Sequence, residues 1–295
     1  MVKMIILGIC IGLVGALCDA FQNFMIKILR NKSTETVLLF YKTLISFIVF
    51  LPVMFYYGLK IQSHVLWIIV FFFVLIDVFS TFLYYRAVFI SGLSHTMPLL
   101  SFTPVFVSIL GIFILNESLN IYSVLSILMI VSGAYVLNIS RFKQGIFEPF
   151  AYIFRKKGVM YMFFVAILMS FLTVLYKIGI GYSDELSFLF LLLPFESGIF
   201  LSYSLTKKSK KEIIDAGKNN LGSLIIIDLL GLISPIALAF SLNYLVSGLA
   251  IAVKRISILF SVVFGCVIFK EKNIYEAVAG SVIMFFGLVI ISLFG

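Results

Sequence analysis

The chain has 295 residues, of which 62% are hydrophobic and only 12% charged, with a mean hydropathy of +1.19. Soluble domains run roughly 45–50% apolar and about 25% charged, so this composition excludes a soluble enzyme or binding module and requires an integral membrane protein. The net charge of +9 crowds into loops, with Arg141, Lys143, Arg155, Lys156 and Lys157 in one and Lys207, Lys208, Lys210, Lys211 and Lys218 in another, which marks segments beside the membrane rather than a folded basic surface for nucleic acid.

In chain order, apolar runs between breakers predict spans near residues 4–29, 36–58, 64–90, 93–115 and 119–139, then near 158–181, 185–206, 221–246, 247–269 and 274–294. Runs of this length suit helices crossing a hydrocarbon core of roughly 30 Å, and the short alternating segments of a barrel are absent. The opening run follows Lys3 but carries Asp19 and is too long for a signal peptide, so it is read as the first span. Ser91-Gly92 and Ser247-Gly248 each split a run of about 50 residues into a hairpin, because so long a run cannot cross once. The expected fold class is an all-α membrane protein with ten transmembrane helices. A first five-helix repeat covers 1–139, a basic-aromatic linker 140–157, and a second five-helix repeat 158–295. The linker interleaves its cations with Phe142, Phe147, Phe150, Tyr152 and Phe154, as either a segment lying among lipid headgroups or a plain tether.

The second half repeats the first. Ser91-Gly92-Leu93 recurs as Ser247-Gly248-Leu249, and Gly111, Glu117 and Gly133 recur as Gly265, Glu271 and Gly287 at an offset of 154. Lys27 and Glu35 match Lys177 and Glu185 at an offset of 150. Five spans per half insert the second copy upside down, the usual construction of carriers that open alternately to either side. Basic residues concentrate in the loops after the first, fifth, seventh and ninth spans, which places both termini outside the cell.

Ionisable groups at bilayer depth cost at least about 2.5–3.5 kcal/mol each, so they face protein or water and are functional candidates. Asp19, Gln22 and Asn23 in the first span share one helical face through i, i+3, i+4 spacing. That face is either a patch for a polar substrate or a coupling proton, or an interhelical contact. Asp77, Ser80, Thr81 and Tyr84 repeat the pattern in the third span, either lining a hydrated cavity or packing helices. Arg86, near the span end, is expected to snorkel. In the ninth span Lys254 and Arg255 lie roughly 10–12 Å below the Ser247-Gly248 turn at a rise of about 1.5 Å per residue, with Ser257 and Ser261 continuing the Lys254 face. Two adjacent cations at that depth demand counter-charge. It comes from a substrate carboxylate or phosphate, for which Arg offers a bidentate fork, or from an internal acid: Asp19, Asp77, Glu196 or Asp228.

A proton is a candidate coupling ion, carried by Glu196, Asp19 or Asp228. Pro104, Pro194 and Pro235 fall inside spans and are hinge candidates, since proline removes a backbone donor. Gly133, Gly280 and Gly287 are expected to allow close helix contact, and Glu117 and Glu271 to mark span ends. Cys10, Cys18 and Cys266 form no disulfide framework, and neither His64 nor His95 has metal-ligand company. No nucleophile–base set, metal cluster or phosphate-cradling loop is present, so no cofactor, no enzyme activity and no ATP-driven pumping is expected.

The stretch Tyr84 to Leu137 holds Ala87, the Ser-Gly-Leu turn, Pro104, Asn116-Glu117-Ser118-Leu119 and Ser132-Gly133-Ala134. The second copy holds Lys254-Arg255-Ile256-Ser257, Gly265, Phe269-Lys270-Glu271 and Phe286-Gly287. Both resemble the repeat of EamA-type carriers of the drug/metabolite transporter superfamily, and Lys42 falls where that family often has a basic residue in its second span. The resemblance covers nearly the whole chain. It implies a ten-helix carrier with a central cavity, spans five and ten at the periphery, and termini on the cytoplasmic side, opposite to the charge pattern. Ile258 stands where the repeat would place the partner of Pro104.

The expected function is therefore a multi-pass carrier of the cell membrane that moves a small polar or amphipathic metabolite by alternating access. Amino acids or related organic acids are the favoured class, with a nucleotide-linked or lipid-linked anion as the alternative. Lys254, Arg255 and Lys42 are expected at the anionic end of the substrate, with Ser257 a further substrate-binding candidate. Asp19, Asn23, Asp77 and Tyr84 are expected at its polar or ammonium end. Membrane lipids are the other expected partner.

Overall fold

The computed structural model describes residues 2–29, 34–91, 97–136, 156–207, 210–260, 279–280, 282–287 and 290. The linker residues 140–155, the turn residues Gly92 and Leu93, His95, Ser261, Gly265, Cys266 and Glu271 lie outside them. All regular elements among the described residues are helical: α1 (Val2–Leu29), α2 (Glu35–Tyr57), α3 (Val65–Ser91), a 3-10 segment (Met97–Phe102) running into α4 (Thr103–Leu115), α5 (Ile121–Val136), α6 (Lys157–Gly181), α7 (Glu185–Lys207), α8 (Lys210–Leu242) and α9 (Ser247–Lys254). Within α1, α3, α6, α7 and α8 lie five stretches long and apolar enough to cross a membrane. Thr36–Val49, Thr103–Leu115 and Ile121–Gly133 are shorter apolar helices. Large side chains such as Phe55, Ile68, Phe71, Phe113 and Phe285 face outward, as they do where lipid rather than water surrounds the protein.

Three elements depart from the spans expected from the sequence. Helix α8 begins at Lys210, well before residue 221, because Lys, Glu and Ala in its first turns are good helix formers. Its backbone leaves helical geometry at Asn220 (φ −134°, ψ 18°) rather than at Pro235. The fourth span opens as a 3-10 segment, so Pro104 occupies the first turn of α4, where its missing N–H has no intrahelical partner to lose. The ninth span is interrupted after Lys254 and resumes at 257.

The halves pack as mutual inverses. Helix α1 lies antiparallel on α8, with Gly8 against Tyr244 and Leu245 and Gly15 against Ala237 and Ser234. Helix α3 lies antiparallel on α6, where Phe73 meets Tyr176 at 5.8 Å between ring centroids and Ala87 and Val88 share a core with Val159 and Met162. Helix α2 runs antiparallel to α7 and parallel to α8, where Tyr41 donates to the Ile213 carbonyl at 3.1 Å and Ser46 meets Asp228. Phe73 with Phe188 and Phe82 with Tyr203 set α3 parallel to α7. Helices α6, α7 and α8 therefore run opposite to α1, α2 and α3. Exchanging the halves maps α1–α8 onto α6–α3 and α2–α8 onto α7–α3, and leaves α2–α7 unchanged.

The end of the bundle away from the lysine-rich loops is tied across the halves. Lys60 Nζ pairs with Asp184 Oδ2 at 3.1 Å, and the Lys60 N–H donates to Ser187 Oγ at 3.1 Å. Burial pushes the Asp184 carboxyl up, but donation from Ser187 and Lys60 outweighs this and holds it below its ordinary 3.8. Bonding to Tyr57 and Asp184 pushes Lys60 above its ordinary 10.5. The Asp184 contribution is lost as pH falls through that depressed value, and the Lys60 contribution as pH rises through the raised one. The tie therefore holds between them.

Gly133 of α5 makes the close contact expected of it, and the structure supplies the partners: a Cβ there would lie 2.5 Å from Met284 Cγ and 2.7 Å from the Gly280 carbonyl oxygen. Gly133→Val is expected to destabilise the protein by about 1–3 kcal/mol through overpacking. Gly222→Ala, at a position with open space around it, should leave stability unchanged or slightly raised. Melting curves in detergent compare the two, and equal behaviour would contradict the packing role.

Candidate functional site

A cavity of about 250 Å³ lies among α1, α3, α6, α8 and α9. Its lining joins both halves: Asp19, Gln22 and Asn23 from α1, Asp77, Thr81 and Tyr84 from α3, Tyr176 from α6, Ser234 and Pro235 from α8, and Lys254, Arg255 and Ser257 from the ninth span. Seven of the eight expected substrate residues meet here: Asp19, Asn23, Asp77, Tyr84, Lys254, Arg255 and Ser257. Lys42 lies in α2, and its side chain is outside those described. Glu196 and Asp228 are buried but do not line the cavity. Asp228 instead accepts from the Ser46 backbone N–H and, at 2.7 Å, from Ser46 Oγ. Of the proline positions, only Pro235 is on the cavity wall, and its carbonyl accepts from the Tyr176 hydroxyl at 3.4 Å.

The charges are arranged in two different ways. Lys254 Nζ lies 3.6 Å from Asp19 Oδ2, with both side chains less than one-fifth exposed, so Asp19 is the internal acid that answers this cation. Arg255 has no carboxylate at ion-pair distance among the described residues. Its Nη2 donates to Thr103 Oγ1 at 3.2 Å and touches Met169 Sδ at 3.5 Å, and its buried Nε has no hydrogen-bond partner among them. Among the described residues, Asp77 accepts a hydrogen bond from Thr81 Oγ1, at 3.5 Å. Tyr84 donates to Asn23 Oδ1 at 2.9 Å, and Gln22 to the Ile227 carbonyl at 3.0 Å, which fixes the α1 face. Two anions and two cations line the cavity; among the described residues only Lys254 and Asp19 come within ion-pair distance, while Asp77 also acts on Lys254 and Asp19 on Arg255 at longer range.

The interruption in the ninth span presents the cations. After Lys254 the bonds tighten to three-residue steps, from the Ile256 N–H to the Val253 carbonyl at 3.1 Å and from the Ile258 N–H to the Arg255 carbonyl at 3.0 Å. In such a turn residues three apart eclipse, so Ser257 stays on the Lys254 side. The first half changes from 3-10 to α at Phe102–Thr103. At the repeat offset of 154, this is the position of Ile256–Ser257, where helix resumes. Broken helices at membrane depth are tolerated where they face protein or a watery cavity, and carriers use them to bind substrates.

Glu117, expected only to mark a span end, does more. Asn116 ends α4 in the left-handed region (φ 52°), which Asn tolerates. The Glu117 N–H then donates back to the Gly111 carbonyl at 3.1 Å. The carboxylate folds over Gly111, where a Cβ would lie 2.5 Å from Glu117 Oε2, so in the first half the Gly-x5-Glu spacing is explained by this close approach. It accepts from Lys177 Nζ at 2.5 Å, from the Ser247 N–H at 3.0 Å and from Ser247 Oγ at 2.7 Å. An anion at the first turn of α9 is favoured by the free N–H groups and the helix dipole there. Sequence reasoning missed Thr103, Met169 and Tyr176 as well. Only Thr103 carried a signal, as the repeat partner of Ser257.

Inverted helical halves of apolar helices around a shared, partly charged cavity define a transporter-like membrane protein. The chain belongs to the EamA-like transporter family, whose model matches it twice, over residues 6–139 and 156–293. It is an integral multi-pass membrane protein and a transporter of the drug/metabolite transporter superfamily. A protein of known crystal structure shares the fold with a TM-score of 0.72 and 13% identity, over 97% of this chain and 96% of that one. No curated protein matches the sequence.

Removing one member of the Lys254–Asp19 pair strands the other at membrane depth. Asp19→Asn or Lys254→Met alone is expected to cost about 1–3 kcal/mol, below the range for a fully buried pair because both groups reach the cavity. The double variant should cost less than the sum by at least about 0.5 kcal/mol. Denaturation in detergent measures all three, and strict additivity would contradict the pairing.

Proposed function

We propose that the protein is a secondary carrier with ten membrane crossings in two inverted halves, moving a small zwitterionic metabolite, an amino acid or related organic acid, by alternating access. The observation that carries this reading is the balance of the cavity, in which Asp19 and Lys254 neutralise each other while Arg255 and Asp77 stand ready for a carboxylate and an ammonium. A net anion would leave Asp77 in an unfavourable field, whereas a zwitterion answers both ends. Size supports the same class, since about 250 Å³ falls below the roughly 300–1,000 Å³ of drug-sized sites and favours an amino acid over a nucleotide-linked compound. Tyr84, Asn23 and Ser257 supply hydrogen bonds around the polar end, and Phe73, Leu172 and Leu238 receive an apolar side chain.

Alternating access needs one end shut while the other is open. The Glu117–Lys177–Ser247 contacts and the Lys60–Asp184 pair support the end remote from the lysine-rich loops as the shut one. The charge rule places that end outside the cell and the lysine-rich end in the cytoplasm. In the cycle, a bound zwitterion draws the halves together on the open side and releases these ties on the other.

Radiolabelled L-leucine, L-serine and L-phenylalanine, each assayed for counterflow in proteoliposomes, test the reading. At least one should be carried by the wild-type protein, and Arg255→Ala should abolish that transport while the protein still melts cooperatively. Normal transport by this variant would reject the cationic site. Glu117→Ala should slow counterflow more than tenfold yet leave stabilisation by the same amino acid intact, because it loosens the shut end without touching the cavity. Loss of the stabilisation would contradict its assignment to the closure.

A further inference from the structure

We propose that Thr103 is the positioning residue for Arg255, holding the guanidinium in the orientation that meets the substrate's carboxylate. This rests on the cavity being the transport site. Thr103 is fully buried and does not line the cavity, so it acts only through what it holds. Its hydroxyl hydrogen is committed, donated to the Leu100 carbonyl at 2.7 Å. The oxygen lone pairs left over accept from Arg255 Nη2 at 3.2 Å. A hydroxyl used in both senses is fixed in direction, and it sits where the 3-10 segment passes into α4, on backbone tied by that same hydrogen bond. Met169 Sδ bounds the same nitrogen.

The anchor leaves the rest of the guanidinium for the ligand. Arg255 is 6% exposed, and its Nε is a buried donor with no hydrogen-bond partner among the described residues. A buried unpaired donor is costly, and a carboxylate oxygen removes the cost. Thr103 also belongs to the first half and Arg255 to the second, at neighbouring points of the two helix interruptions, so the group that meets the anion is oriented across the interface that must move. The matching residue of the other half, Ser257, lines the cavity itself. The repeat has thus kept a hydroxyl at both breaks and given the two different tasks.

Thr103→Val keeps the shape and removes the acceptor, while Thr103→Ser restores it. In counterflow of L-leucine, L-serine and L-phenylalanine, Thr103→Val is expected to raise the half-saturating concentration about tenfold, the scale of a hydrogen bond to a charged group. The maximal rate should stay within twofold, and Thr103→Ser should match the wild type. A fall in maximal rate with unchanged half-saturation, or no recovery by serine, would overturn the proposal. If the wild-type protein carries none of the three, the amino acid reading fails and the positioning role is read without substrate. Phenylglyoxal modification of Arg255, followed by peptide mass spectrometry, should then be several-fold faster in Thr103→Val than in wild type and unchanged in Thr103→Ser. Equal rates in all three would refute the anchor.

Discussion

Four charges at membrane depth constrain everything else in this molecule. Placing Asp19, Asp77, Lys254 and Arg255 among apolar helices costs at least about 2.5–3.5 kcal/mol each, a sum comparable to the whole stability of many proteins. The cost is contained because all four converge on one cavity that joins both halves, where Lys254 finds Asp19 and Arg255 finds Thr103. The helix pairings follow from that need. Helix α1 must meet the ninth span to bring Asp19 to Lys254, and the 3-10 segment and α4 must cross it to bring Thr103 to Arg255.

The backbone is shaped to the same end. An unbroken ninth helix would point Lys254 and Arg255 about 100° apart, as successive residues do at 3.6 per turn. Both side chains nevertheless line the same cavity, beside the tightened turn between Val253 and Ile258. The first half has its break at the corresponding place without charges, because Leu100 and Ser101 answer to Lys254 and Arg255. The halves thus share a backbone break but not the side chains that line the cavity. Glu117 joins the two ideas, since the left-handed Asn116, the bare Gly111 and the first turn of α9 are all needed for one carboxylate to bind across the halves.

Much of this was legible in the sequence because it rests on cost. Apolar length reveals helices, and a charge inside an apolar run reveals a residue that something must answer, which is how Asp19, Asp77, Lys254 and Arg255 were found. Periodicity put Asn23 on the Asp19 face and Tyr84 on the Asp77 face, and all four line the cavity. The partners were not legible. Glu117 reaches Lys177 and Ser247 across separations of 60 and 130 residues, and nothing local distinguishes it from a polar residue at a helix end. Asp228 reads as a site residue by its depth, yet its hydrogen bonds to Ser46 occupy it elsewhere. The break after Lys254 leaves no Pro or Gly to announce it, and the early start of α8 follows from propensity in a segment too polar to be read as a span.

Under the proposed function, a zwitterion in the neutral cavity rests its carboxylate on Arg255 and its ammonium on Asp77. A structure of the protein with a bound L-amino acid distinguishes this placement from any other. Ligand density is expected to bridge those two side chains, with the Lys254–Asp19 pair still within ion-pair distance. Density that leaves Arg255 on Thr103 and Met169 alone, or a ligand lodged outside the cavity, would contradict it.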